Sequence, residues 1–202
     1  SPRSYNSQIG VALSLLLIEG DEQLAIIEAG ISEPGEMERL EAMIRPDIGI
    51  FTNLGDAHQE HFTSLEQKLS EKLILFRHAR TILYNAGDKW VADQIARTYP
   101  DRKLCAVDPN HYDLSTLPYR DQASLENAAK AIALYDILGY DLKPILATLP
   151  SLQSVAMRME LKEGINGCKL INDSYNSDIN SLAVSLDYLA SVAGGQPKVL
   201  IL

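Results

Sequence analysis

The stretch "IGIFTNLGDAHQEHF" (48–62) decides the fold. It opens on a short apolar run, "IGIFTN" (48–53), and passes directly into a polar loop that crowds Asp56, His58, Glu60 and His61 together. A short, mostly apolar run that ends in a polar loop reads as a parallel strand buried on both faces. Three other runs have the same form: "LAIIEAG" (24–30), "TILYNA" (81–86) and "KLCAVD" (103–108). Helical patterns lie between them. "GEMERLEAMI" (35–44) carries Met37, Leu40, Met43 and Ile44 at helical spacing and stops before Arg45-Pro46. "SLEQKLSEKLILF" starts at Ser64, a capping residue with Gln67 three positions on, and "DKWVADQIART" is a further helix. This alternation predicts an α/β domain with a doubly wound, mainly parallel sheet.

Further along, "SLENAAKAIALYDILG" (124–139) reads as a helix capped by Ser124 and closed by Gly139, with a short helix near 141–148. "LPSLQSVAMRME" has the look of a linker. A new unit then opens with the strand and loop "GCKLINDSYN" (167–176), the helix "INSLAVSLDYLASVAGG" and the strand "KVLIL", one βαβ unit. The predicted boundary lies near residue 156, giving segments 1–156 and 157–202. Both ends read as cut: the first residue is Ser1, and the last five form a buried-strand pattern that stops without a turn.

The chain has 202 residues, 46% hydrophobic and 22% charged, which suits a folded domain. Its net charge of -9 argues against a nucleic acid as the main partner. No apolar run approaches the roughly 20 residues of a membrane span, so insertion in a membrane is not expected. Cys105 and Cys168 sit in strand-like runs and read as reduced core thiols of a cytoplasmic protein.

In parallel sheets, ligands bind beyond the carboxyl ends of the strands. Glu28 ends one apolar run, where a carboxylate is either exposed, paired or bound to a cation. His58 follows the next run; imidazole and carboxylate from adjacent strand ends can share a divalent ion, although His61 and Glu60 equally fit a solvated turn. On a helical wheel Leu65, Leu69, Lys72 and Phe76 fall on one stripe, so Lys72 should face the protein unless it snorkels outward. Asn127 sits in the first turn of an apolar helix, and Arg158 lies in the linker, where a cation can reach a phosphate. Asp173 and Asn176 follow a strand and also suit ordinary turn chemistry. The chain holds neither G-x-x-x-x-G-K-[ST] nor G-x-G-x-x-G.

These pieces resemble the Mur ligase family, the ATP-dependent amide ligases of peptidoglycan synthesis. "IIEAGISEPGEMERLEAMIRPDIGIFTNLGDAHQEHFTSLE" resembles the family pattern "E-M-G-x-x-x-P-G-E-I … P-x-x-x-x-I-T-N-I-G-x-A-H-L-E-x-F-x-S-x-E", and "INDSYNSDINSL" resembles "D-D-S-Y-N-A-N-P-x-S". "SYNSQIGVALSLL" resembles the segment "N-x-N-N-x-I-G-V-P". The resemblance covers nearly the whole chain. It implies ATP and Mg2+ as cofactors and, as partners, UDP-N-acetylmuramoyl-tripeptide and D-alanyl-D-alanine, joined through an acyl phosphate. It also implies roles. Glu28 and His58 match magnesium ligands. Lys72 matches a lysine that is carbamylated and so binds metal as an anion. Asn127 matches an adenine contact. Arg158 and Asp173, with Asn176 beside them, match the ATP phosphate and ribose site, and Ser4 and Asn6 lie in the segment that meets the muramoyl substrate.

The chain departs from the pattern at several points. Ala29 stands where Met is usual, Ile74 where Glu is usual, and "ND" replaces "DD" before Ser174. The family's phosphate loop is expected just before residue 1, after a uridine-binding domain, so the 202 residues alone are expected to be inactive. In some relatives the enzyme is fused to an alanine racemase, and a divergent form of that kind suits these departures. Two other readings stay open: a folylpolyglutamate synthase-type ligase, and a degenerate, non-catalytic binding domain.

Overall fold

The computed structural model describes residues 5–55, 59–119, 121–153, 158–175 and 179–201. The chain divides into two compact units, Ser1–Val107 and Asp108–Leu202. The boundary expected near residue 156 falls among residues 154–157, outside the described ones.

In the first unit, β1 (Ile48–Ile50), β2 (Thr81–Asn85) and β3 (Lys103–Val107) form a three-stranded parallel sheet in that order. Ile48 pairs with Thr81, and Thr81 pairs with Lys103. Each parallel step needs a crossover, and helices supply both: α3 (Leu65–Leu73) between β1 and β2, and α4 (Lys89–Thr98) between β2 and β3. β2 is central and buried on both faces, as its unbroken "TIL" start implies. Ile82 and Tyr84 on one face join a core of Phe51, Leu69, Leu73, Phe76, Val91 and Ile95, so α3 and α4 both cover that face. Leu83, pointing the other way, is also fully buried.

Local caps set the helix starts. Ser64 Oγ accepts from Gln67 N at 3.1 Å, while Gln67 Oε1 reaches back to Thr63 N at 2.7 Å. Asp88 caps α4 through Val91 N at 3.0 Å. α3 tightens into a 3-10 turn, Ile74–Phe76, that delivers Phe76 onto β1. There the absence of a side chain at Gly49 is required: a Cβ would lie 2.3 Å from Phe76 Cδ1. Phe76 meets Phe51 edge-on, with centroids 6.4 Å apart.

The segment 24–30, expected as a strand, joins no ladder among the described residues. It has no regular secondary structure, and Ile27 and Ala29 are absorbed by a second core cluster instead of a neighbouring strand. That cluster packs α1 (Gln8–Leu15) and α2 (Glu36–Ile44) through Val11, Met37 and Leu40, together with Ile31 and Phe62. Leu24 and Ile26 remain exposed.

The second unit begins after β3. α5 (Gln122–Ile137) is capped by Asp121, which accepts from Ser124 N at 2.8 Å, so it starts earlier than the expected Ser124 cap. An Asp at this position also places negative charge at the positive helix end. Gly139, at φ 79°, closes it in the left-handed region. α6 (Leu142–Thr148) follows, capped by Asp141. β4 (Glu160–Glu163) and β5 (Lys169–Asn172) form an antiparallel hairpin, with α7 (Ile179–Ala193) after it. Where a βαβ unit was expected, β5 pairs with β4, a strand that begins at the last residue of the linker-like stretch, and among the described residues 198–201 joins no ladder. Cys168 is exposed, because the two-stranded hairpin is not enclosed as a sheet core would be; Cys105 is half-buried in β3.

Candidate functional site

The first unit brings Asn6 and Glu28 together. Asn6 Nδ2 donates to Glu28 Oε1 at 3.0 Å, and Gly30 N donates to Asn6 O at 2.9 Å. Gly30 permits this close approach, since a Cβ there would meet Asn6 Nδ2 at 3.1 Å. Glu28 itself is exposed. Residues on either side of it, Ile27 and Ala29, pack on the same cluster as Ile74 and Leu75, which follow Lys72 on the chain. One hydrophobic cluster thus anchors both the Glu28 segment and the end of α3. Two of the departures from the family pattern, Ala29 and Ile74, are apolar residues packed on this cluster.

Lys72 is half-buried in the last turn of α3. Burial, and secondarily the charge of Lys68, lowers its pKa below the usual lysine value. The stripe that carries it is shifted from the wheel drawn on the sequence. Leu69, Leu73 and Phe76 are buried, but Leu65 is 42% exposed and Lys68 is buried instead. His58 lies outside the described residues, as do Ser4 and Asn176. Gln59, Glu60 and His61 form a 3-10 turn with Glu60 and His61 exposed, and His61 Nδ1 bonds to Ser32 O at 2.9 Å. Among the described residues no three His, Cys, Asp or Glu side chains converge to hold a metal.

Glu36 is a residue that the sequence reading passed over. Its Oε2 accepts from Ser32 N at 2.6 Å and Glu33 N at 3.0 Å, and its Oε1 accepts from Gln8 Nε2 at 3.1 Å. It closes the "SEPGE" loop after Glu28 and ties it to α1. The bond from Ser32, with help from Glu33, Gln8 and Arg39, lowers its pKa against the opposing effect of burial. The signal was present in the motif: an acid at the start of a helix, four residues after a Ser. We predict that Glu36→Gln costs about 1–2 kcal/mol at neutral pH through weakened charge-assisted bonds. A carboxylate with a lowered folded pKa stabilises above its unfolded pKa and loses that contribution as pH falls through the folded value. Urea unfolding should therefore show the gap between wild type and variant narrowing below about pH 4. A gap that widens on acidification would contradict the assignment.

The second unit holds the other predicted residues. Asn127 is exposed in the second turn of α5, one turn deeper than expected because the helix begins at Gln122. Arg158 precedes β4 and stacks on Tyr175, 4.5 Å from its ring centroid. Asp173 follows β5. Its Oδ1 accepts from Met159 N at 3.0 Å and its Oδ2 accepts from Ser185 Oγ on α7, so it joins hairpin to helix. Both partners are distant along the chain, so these bonds differ from the local turn chemistry weighed for Asp173.

Comparison with known proteins matches the Mur ligase middle domain to residues 1–133, about two thirds of the chain. The chain belongs to the Mur ligase family. Along 98% of its length it is 25% identical to the UDP-N-acetylmuramoyl-tripeptide–D-alanyl-D-alanine ligase of Bacillus subtilis, covering 48% of that protein. Two solved Mur ligase structures share the fold. A MurF structure from Acinetobacter baumannii superposes with a TM-score of 0.82 at 21% identity, over 93% of this chain and 47% of the other. A MurF ligase from Thermotoga maritima in complex with ADP gives 0.76 at 20% identity, over 90% and 48%. The chain spans about half the length of the curated relatives it matches. The parallel α/β architecture expected from the sequence is the one these Mur ligases have. No helix among the described residues is long and apolar enough to cross a membrane.

Proposed function

We propose that the protein carrying this chain is an ATP-dependent ligase that joins D-alanyl-D-alanine to UDP-N-acetylmuramoyl-tripeptide in the cytoplasm. The observation that carries the reaction class is Lys72, a half-buried lysine at the end of α3 whose pKa burial lowers from the usual lysine value. A neutral amine adds CO2 to form a carbamate, an anionic oxygen donor; an ammonium does neither. The substrate assignment is supported by the relatives of that activity, which match almost the whole chain.

The residues suit magnesium, a hard cation that takes oxygen ligands. Glu28 supplies a carboxylate, a Lys72 carbamate would supply a second anionic group, and His58 would complete the set. Magnesium, when bound, would neutralise phosphate oxygens as charge shifts during transfer. The chain's own part is positioning. Asn6 orients the Glu28 carboxylate, and with Ser4 it would meet the muramoyl substrate. Arg158 lies with its guanidinium carbon over the Tyr175 ring, and its N–H donors would reach a phosphate. Asp173 retains acceptor capacity beyond its two internal bonds and, with Asn176, would meet the nucleotide, whose adenine Asn127 would contact. The tripeptide carboxylate takes the γ-phosphoryl group of ATP; the dipeptide amine attacks that acyl phosphate, and phosphate leaves.

The full-length protein should release phosphate from ATP only when both UDP-N-acetylmuramoyl-tripeptide and D-alanyl-D-alanine are present. Release driven instead by a folate and glutamate would move the protein to the folylpolyglutamate synthase-type reading. Release with neither pair would leave the non-catalytic reading.

A further inference from the structure

Lys68 is the most deeply buried charged side chain among the described residues, 2% exposed, and nothing in the family pattern gives it a role. It lies one helical turn before Lys72 on the same side of α3. Its Nζ donates to Gly55 O, at the start of the loop that leaves β1. The same ammonium sits 5.9 Å from the centroid of Phe62, at the far end of that loop. Phe62 in turn belongs to the cluster that holds Ile27 and Ala29, the neighbours of Glu28.

Burying an ammonium is costly, and an apolar side chain of similar volume at such a position is often neutral or stabilising. A leucine or methionine would supply a buried apolar stem but would leave the Gly55 carbonyl without this donor. The side chain therefore does something that packing alone does not require. We propose that Lys68 is a positioning residue that staples both ends of the β1–α3 loop to the helix bearing Lys72. Its hydrogen bond to Gly55 and its ring contact with Phe62 hold the loop on the β1 side and on the α3 side. Its positive charge, one turn from Lys72, favours an anion at that position over a second ammonium. The consequence for catalysis rests on the ligase reading above; the consequence for the loop does not.

The test compares Lys68→Met, which keeps length and apolar stem, with Lys68→Arg, which keeps a cationic donor, in the full-length protein. Two quantities are read: the magnesium concentration for half-maximal ligation with kcat at saturating magnesium, and hydrogen exchange of the amides of 52–55 and 59–62. Lys68→Met should raise the magnesium requirement about tenfold, as loss of a group that orients metal ligands does, with a smaller fall in kcat. It should also speed exchange at both loop ends, and Lys68→Arg should restore both. An unchanged magnesium requirement with unchanged loop exchange in Lys68→Met overturns the proposal. So does equal impairment of both variants, since a restored cationic donor would then rescue nothing and the lysine's charge would not be what holds the loop. If the parent protein ligates nothing, the ligase reading fails while the exchange data still decide the staple.

Discussion

Lys72→Ala in the full-length protein should lower ATP-dependent ligation by about a thousandfold or more, the scale expected when a group that fixes transition-state charge is removed. The fold should survive, because Lys72 is only half-buried. Short carboxylic acids such as formate or acetate should restore part of the rate by placing an oxygen anion in the space left by the side chain. The measurement is the initial rate of product formation with and without added acid. Undiminished activity in the variant would remove Lys72 from the site. Loss of activity without any rescue would leave the lysine essential but deny the carbamate.

The largest effect on stability is expected at Phe76. It is buried where the end of α3 meets β1 and Phe51, and Phe76→Ala should cost about 3–5 kcal/mol. A linked prediction isolates the contact with Gly49. Gly49→Ala should destabilise the wild type by about 1–3 kcal/mol, because its new methyl would drive into the Phe76 ring. In the Phe76→Ala background the same change should cost little, since the obstructing ring is gone. Denaturant midpoints for the two single variants and the double variant form the required cycle. Additive costs would mean that Gly49 matters for a reason other than its contact with Phe76.

Features set by neighbouring residues were legible in the sequence. Ser64 caps α3 through Gln67, and the apolar run at 81–86 became the central strand β2, because both depend on chemistry within a few positions. Features that depend on partners were not. The run at 24–30 has the apolar content of a strand, but a strand needs a ladder, and Ile27 and Ala29 found a helix-lined cluster instead. The hairpin of β4 with β5 was hidden because "ELKE" alternates too weakly to announce a half-buried strand. Among the candidate site residues, Glu28 was singled out by its place at the end of an apolar run and Lys72 by helical spacing. Lys68 was missed because it lies well off the stripe of Leu69, Leu73 and Phe76; it is buried among partners from another segment, the Gly55 carbonyl and the Phe62 ring, which helical spacing does not show. Glu36 was missed because its partners are backbone amides of its own loop, which a search for paired side chains does not see.

The central claim is that this chain belongs to an enzyme that forms an amide bond with D-alanyl-D-alanine at the expense of ATP. Mass spectrometry of the full-length protein's reaction with ATP, magnesium, UDP-N-acetylmuramoyl-tripeptide and D-alanyl-D-alanine tests it most directly. The account predicts a new species with the mass of the tripeptide substrate plus the dipeptide less one water, formed only when ATP is present and matched by released phosphate. Unchanged substrates after prolonged incubation of folded protein, or phosphate release without that product, would contradict it.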